Sequence, residues 1–464
     1  MTLFRATLRI KLSLPAATTL ALPLALAGMA LTVVRADHPV SSRNVSISDI
    51  GRTTADIAKS QASKSTDDAP ADNVIGADAK PAETKAADAD QPTATPPDQS
   101  TNSDSSSVDS PKELNFAKDP SMGHDGRPLT PELAALGAKI RRTLATYQPK
   151  HLNARDNTCW EVMHNLIAFG PGTEIFRDGP GGQTVNAMGW LCWGGRCQNQ
   201  PLIVLENHAP HALYGVGLEG HGGQYLAMLA QWRVRPESPM HIGGVDFSVA
   251  DYIEEEKATC ESGTELTFKL LALSHYLPSD ATWISRNGET WNIPKLLKAE
   301  IEAPVHGAAC GGSHRLFAIA TALKERLKRG EPFDGQYIRA AKYIADYQRY
   351  TLGTLQNPDG SFSTEWFNYP ADRPGDMDRK IQTTGHMLEF LVYSLPDSQL
   401  RDPRLIKAVD FISSLMLYNP ERAWSIGPMG HALHAQMIYH ERMFNQPALP
   451  GTTLTAAVPM PVKT

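Results

Sequence analysis

Four histidines share one register of a recurring phrase. His314 follows Gly311-Gly312-Ser313, His386 follows Thr383-Thr384-Gly385, His431 follows Pro428-Met429-Gly430, and a weaker copy, Cys159-Trp160-Glu161-Val162-Met163, leads to His164. Tyr225 takes the matching place after His221-Gly222-Gly223-Gln224, and Glu265 after Glu261-Ser262-Gly263-Thr264. Imidazole and carboxyl groups at one level can move protons near neutral pH. Each copy runs into an apolar stretch of helical spacing, as in Leu316, Ile319 and Leu323, so a helix is predicted to start at every phrase. Its unpaired N–H groups and partial positive charge then favour neutral imidazole and an anionic ligand. On this reasoning His314, His386, His431 and Glu265 are the candidate catalytic groups, and His164, His221 and Tyr225 line the ligand. Singly, each histidine is as well explained as a polar residue satisfying backbone groups. Four in one register argue for a shared lining.

Trp366 and Arg373 join the ligand-binding candidates from a long loop ahead of His386. Two chemistries suit the set. Glycoside hydrolysis needs two facing carboxyl groups, for which Glu161, Glu265, Glu365, Asp376 and Asp378 are available,. A lyase needs a base and a group that neutralises a uronate, which His386 or His314 with Arg373 or Arg315 supply. Trp190, Trp193, Trp366 and Trp424 offer faces for sugar rings. No cofactor is expected; the alternative is zinc held by some of His221, Glu261, Glu265, Cys310 and His314, ligand types that zinc accepts, although the spacing matches no tight motif. Of the five cysteines, Cys192 and Cys197 flank Trp193-Gly194-Gly195-Arg196 and form the best candidate disulfide,.

The elements that must position these residues come in pairs. Thr130-Pro131-Glu132 starts a helix to about Tyr147, and residues 159–169 form the first phrase helix. Residues 184–206 read as a small β-hairpin around Gly194-Gly195. Further on, segments beginning at Ser248, Ile293, Asp334 and Asp402 precede the phrases at Gly263, Gly311, Gly385 and Gly430. The phrase positions lie about 40 to 70 residues apart, the range of repeated supersecondary units,. The expected fold is all-α: an (α/α)6 toroid of about six helix pairs, phrase helices inside and partners outside, with a β-hairpin insertion. An open solenoid of helical hairpins is the alternative.

Leu355-Gln356-Asn357-Pro358-Asp359-Gly360-Ser361-Phe362, with Trp366 beyond, resembles the Gln…Asp-Gly-Ser-Phe/Trp turn of the prenyltransferase and squalene-cyclase repeat. That resemblance implies the same (α/α)6 toroid, a fold shared with several polysaccharide lyases and glycoside hydrolases. The Asp-x-Asp-Asp motif of the cyclases, the Gly-Cys-Gly-Glu-Gln motif of thioester proteins and the Cys-His-Gly motif of lanthionine cyclases are missing. Zinc-dependent protein prenyltransferases use Asp, Cys and His on this fold, which is what the resemblance implies for the zinc alternative.

Around this core, residues 1–36 carry Arg5, Arg9 and Lys11 ahead of an uncharged run, Leu12 to Val34, and read as a signal peptide or signal anchor,. Residues 37–112 are rich in Ala, Asp, Ser, Thr and Pro and predict a disordered linker. The toroid spans 113–445, with a flexible tail at 446–464. This places the protein outside the cytoplasm, in the periplasm, envelope or extracellular space, with the membrane a partner only through an uncleaved N-terminus. The formal net charge of −6 and the lack of a basic block exclude a nucleic-acid partner,. Two functions follow: a carbohydrate-active enzyme or binder of a polyanionic or carbohydrate ligand in the central cavity, and a non-catalytic envelope scaffold; a metal-dependent transferase is the third.

Overall fold

The computed structural model describes residues 119–449. The signal segment, the linker and the end of the tail lie outside these residues. Within them the chain is mostly helical, with twelve α-helices and five two-stranded antiparallel hairpins. Even-numbered helices are the apolar ones: α2 (Cys159–Phe169), α4 (Gln224–Gln231), α6 (Thr267–Tyr276), α8 (Ser313–Lys328), α10 (Met377–Ser394) and α12 (Ile426–Met443). Most of their residues are buried right round the helix, which requires protein on every side. Odd-numbered helices are α1 (Pro131–Tyr147), α3 (Ala187–Cys192), α5 (Val249–Ala258), α7 (Ile293–Glu302), α9 (Gly335–Gly353) and α11 (Pro403–Tyr418). They bury one stripe, except the short α3, which is buried at all but Trp190.

Neighbours among the buried helices run in chain order: α4 packs on α6, α6 on α8, α8 on α10, α10 on α12 and α12 back on α2, while α2 also touches α4. The amphipathic helices cover them, α7 and α9 on α8, α11 on α10, and α1 on both α11 and α12. Two glycines set the closest of these approaches. A Cβ at Gly430 would lie 2.3 Å from the His164 carbonyl oxygen, and one at Gly385 would lie 3.1 Å from Ala432. The glycine of the phrase therefore lets α12 approach α2 and α10 closely.

Three hairpins lead directly into an odd-numbered helix. β1 (Glu174–Phe176) and β2 (Thr184–Asn186) precede α3, β7 (Pro239–Ile242) and β8 (Val245–Ser248) precede α5, and β9 (Thr282–Ile284) and β10 (Thr290–Asn292) precede α7. In each case the last strand residue, Asn186, Ser248 or Asn292, is the helix N-cap,. Gly243 and Gly244, at φ 61° and 83°, make the two-residue turn of the second hairpin,. The remaining two, β3 (Arg196–Cys197) with β4 (Gln200–Pro201) and β5 (Ile203–Glu206) with β6 (Ala209–Ala212), lie between α3 and α4.

Several expectations are corrected. The segment 184–206 is not one hairpin: Trp190 lies in α3, and five hairpins replace the single insertion. The thiols of Cys192 and Cys197 are unpaired, as are all five. Cys192 ends a helix and sits 3.2 Å from the Tyr225 hydroxyl, whereas Cys197 lies on β3 within reach of the Cys159 thiol. The phrase does not always open its helix. α10 starts at Met377, where Asp376 accepts from the Arg379 N–H, so His386 is interior. The tail begins packed, since Ala448 and Leu449 are buried.

The Gln-Asn-Pro-Asp-Gly-Ser-Phe turn is structural. Gln356 donates to the Arg404 carbonyl on α11, Asp359 takes the Lys380 ammonium at 2.6 Å, and the Phe362 N–H donates to the Thr384 hydroxyl. It ties the loop between α9 and α10 to both following helices.

Candidate functional site

The four register histidines do converge. The His314 ring stands 5.2 Å from His386 and 4.9 Å from His431; His386 and His431 are 3.9 Å apart, and His164 is 5.4 Å from His431. They come from α8, α10, α12 and α2, and all four are buried. Interior placement on α10 and α12 does not move His386 and His431 out of register, because the close contacts at Gly385 and Gly430 set the level of the neighbouring helices.

Hydrogen bonds fix the direction in which three of the rings offer their lone pairs. His164 Nδ1 lies 2.7 Å from the Trp160 carbonyl and His386 Nδ1 lies 2.7 Å from the Gln382 carbonyl, each one helical turn back. A carbonyl only accepts, so both Nδ1 atoms carry the proton and Nε2 keeps the lone pair. His431 Nδ1 donates to Glu389 Oε2 at 2.8 Å, and the other oxygen of Glu389 takes His434 Nδ1 at 2.5 Å. His431 Nε2 is left buried with no partner among the described residues, and His314 likewise has no hydrogen bond there. Burial pushes His164 down to about 4 and His314, His386 and His431 well below the ordinary histidine value, so the rings are neutral at physiological pH,.

Cys310 completes the group. Its Sγ and the ring nitrogens of His314 and His386 all lie within 4.8 Å of one another. The thiol is delivered by a run of left-handed backbone, Cys310 at φ 49°, Gly311 at 61° and Gly312 at 83°. Gly311 has no alternative, because a Cβ there would meet the Trp366 ring at 2.1 Å. Trp366 is itself left-handed at φ 58° and sets its edge against His386, 5.5 Å between centroids. Left-handed non-glycine residues cost about 1–2 kcal/mol each, and two of them here hold the thiol and the indole against the imidazoles. Burial, then the charges of Glu389 and Glu265, push the Cys310 thiol up to about 12.

His221 and Glu265 form a separate pair at the solvent side. His221 Nδ1 is 2.8 Å from Glu265 Oε2, and its ring lies 6.0 Å from His314 with Phe268 stacked on it. Glu265 thus acts on His221 and does not reach the four histidines. Two sequence-derived candidates point elsewhere. Tyr225 is fully buried with its hydroxyl on Cys192 and the Met188 carbonyl, and Arg373 is an exposed loop residue paired with Glu365 at 2.6 Å. Glu261 is exposed and outside the group. Sequence reasoning missed Glu389 and His434. Their signal is an acid and a histidine three residues after His386 and His431, on helix faces that are otherwise apolar.

The space left beside His314, His431 and Glu389 is about 10 Å³, the room of a single water or ion. A sugar ring does not fit there. No family model, curated protein or solved structure matches this chain.

Proposed function

We propose that the chain is an exported (α/α)6 toroid that holds a transition-metal ion, zinc first, through Cys310, His314 and His386, and uses it for hydrolysis or group transfer at the solvent side. The neighbour order of the apolar helices, with α12 packed on α2, supports closure of the inner ring. The carrying observation for the site is the thiol and two imidazoles within 4.8 Å. Zinc and its ligands about 2.0–2.3 Å away require those atoms to close by about an ångström. Soft thiolate with imidazole suits zinc or copper over magnesium or calcium. Binding makes Cys310 a thiolate and releases its proton.

Three protein donors leave a coordination position for water or substrate, the pattern of catalytic zinc. The ion would act there as a Lewis acid, while His221, oriented by Glu265, carries the proton. The carbonyls of Trp160 and Gln382 and the carboxylate of Glu389 fix ring tautomers, which is what outer partners do around metal-bound histidine. The unpartnered His431 Nε2 stands ready as a fourth ligand or as a hydrogen-bond acceptor for bound water.

Reconstitution of the purified full-length chain with cobalt(II) tests this. One ion per chain, with a thiolate-to-cobalt absorption band that disappears in Cys310→Ser and His386→Ala, is the expected result. Absence of stoichiometric metal in folded protein refutes it. The second reading, a non-catalytic scaffold, is favoured by the side chains of Phe268, Phe317 and Trp366 that fill the middle of the helix assembly; that refuting result would leave it standing.

A further inference from the structure

A second cavity lies toward the other end of the apolar helices, with Lys324 about 15 Å along α8 from His314 at 1.5 Å per residue. It measures about 410 Å³, opens to solvent, and is bounded by the C-terminal parts of α4, α6, α8, α10 and α12. Most of the charges around it are already engaged. Arg442 donates to the carbonyls of Tyr393 and Leu395 and pairs with Asp397 at 2.5 Å, and so caps the end of α10. Glu325 holds Lys328 at 2.5 Å and His275 at 3.5 Å.

Three charged groups facing the cavity are not engaged. Lys324 has no hydrogen bond or ion pair among the described residues, and its ammonium sits 4.3 Å from the Tyr393 ring centroid. The side chains of Arg233, on the exposed rim just past α4 in left-handed backbone at φ 52°, and of Glu441 have none either among the described residues. Burial, with Arg442, Lys328 and Arg233 adding like charge, brings Lys324 down to about 7, against the weaker pull of Asp397; burial lifts Glu441 to about 6 in spite of His434 and Arg233. The helix C-termini do not supply positive potential here, so attraction for an anion rests on these two cationic side chains. An ammonium partly withdrawn from water, with no carboxylate beside it, is stabilised by an anion that enters with the ligand. Leu271, Phe317, Tyr393 and Met437 supply an apolar stretch of wall, beside the polar Gln231, Thr321 and His434.

We propose that this cavity is a second binding site, for a small carboxylate-bearing molecule with an apolar body: Lys324 and Arg233 take the carboxylate, and Phe317, Tyr393 and Met437 cover the body. Cavities of this volume with few convergent polar groups are the usual form of small-molecule sites. The site is distinct from the three proposed metal ligands, none of which lines it, although Phe317 separates it from the histidines and His434, bonded to Glu389, stands on its wall.

The test is calorimetric titration of the full chain at neutral pH with phenylacetate, 3-phenylpropionate and 4-phenylbutyrate, and with the corresponding neutral amides. Saturable binding of at least one acid, with its amide about tenfold weaker or more, is expected. Lys324→Met should reduce acid binding by about tenfold and leave the amide unchanged. Arg233→Ala, on the exposed rim, gives the same direction should Lys324→Met fail to fold. His386→Ala should change nothing, which separates this site from the metal centre. No saturable binding of any acid at millimolar concentration, equal binding of acid and amide, or full acid affinity in folded Lys324→Met or Arg233→Ala overturns the proposal.

Discussion

Glu389 has both oxygens committed inside the protein, one to His431 and one to His434, and it is buried on α10. A carboxylate there costs desolvation, and the two imidazole N–H groups offset it. Glu389→Leu leaves both donors without an acceptor, and each buried unsatisfied group costs about 1–3 kcal/mol. Urea denaturation should show a loss of about 2–5 kcal/mol, with Glu389→Gln in between because its amide keeps one acceptor oxygen. The buried imidazoles also set the response to acid. Burial holds His164 down to about 4 and His440 down to about 3. A depressed histidine contributes its full share of stability above the ordinary value of about 6.5, and that share is lost as pH falls through 6.5 toward 4 or 3, because the unfolded chain binds the proton first. Each is worth on the order of 3 kcal/mol. Metal-free protein is therefore expected to lose stability steeply below about pH 6.5, measured as Tm against pH; a flat profile from pH 7 to about pH 5 would contradict the burial of these rings.

Among the elements, the contact of α2 with α12 is the tightest test of the packing. Glycine within a helix normally costs about 1 kcal/mol relative to alanine, so a substitution to alanine on an open helix face stabilises. Gly430→Ala is expected to do the opposite. Its new methyl would sit 2.3 Å from a backbone oxygen of α2 that cannot rotate away, and overpacking of this kind costs about 1–3 kcal/mol or more. Gly385→Ala meets Ala432 at 3.1 Å and should cost less. Denaturant midpoints of the two variants decide the order. Because the same contact sets the levels of His164 and His431, Gly430→Ala should also weaken cobalt binding, whereas an exposed substitution of equal destabilisation should not.

Across the whole described chain, the beginning and the end hold each other. The Tyr147 hydroxyl of α1 donates to the Met416 carbonyl of α11 and accepts from the Trp424 indole, and Asp125 pairs with Arg401 at 2.7 Å. Arg401 holds the Asp125 carboxyl well below the usual carboxylate range. A chain lacking residues 119–148 would expose the apolar flanks of α11 and α12 and remove these bonds. It is expected to keep far-ultraviolet helicity but lose near-ultraviolet dichroism and thermal cooperativity; retention of a sharp unfolding transition would show that α1 and its bonds are dispensable. The sequence by itself determined the mostly helical character and marked every helix but α3, because apolar spacing, caps such as Thr130 and Asp402, and the recurrence of the phrase are local signals. It also placed His164, His314, His386 and His431 at one level. Tertiary structure alone decided that Glu389 and His434 support His431, that Tyr225 turns to Cys192, and that residues 184–206 split around a short helix. It also put a cavity of about 410 Å³ at the C-terminal ends of the apolar helices and left only about 10 Å³ beside the histidines. Those outcomes depend on how closely neighbouring helices approach and which side chains then fill the middle, and closeness is set by pairs such as Gly430 and the His164 carbonyl, 266 residues apart in the chain, whose contact no local pattern encodes.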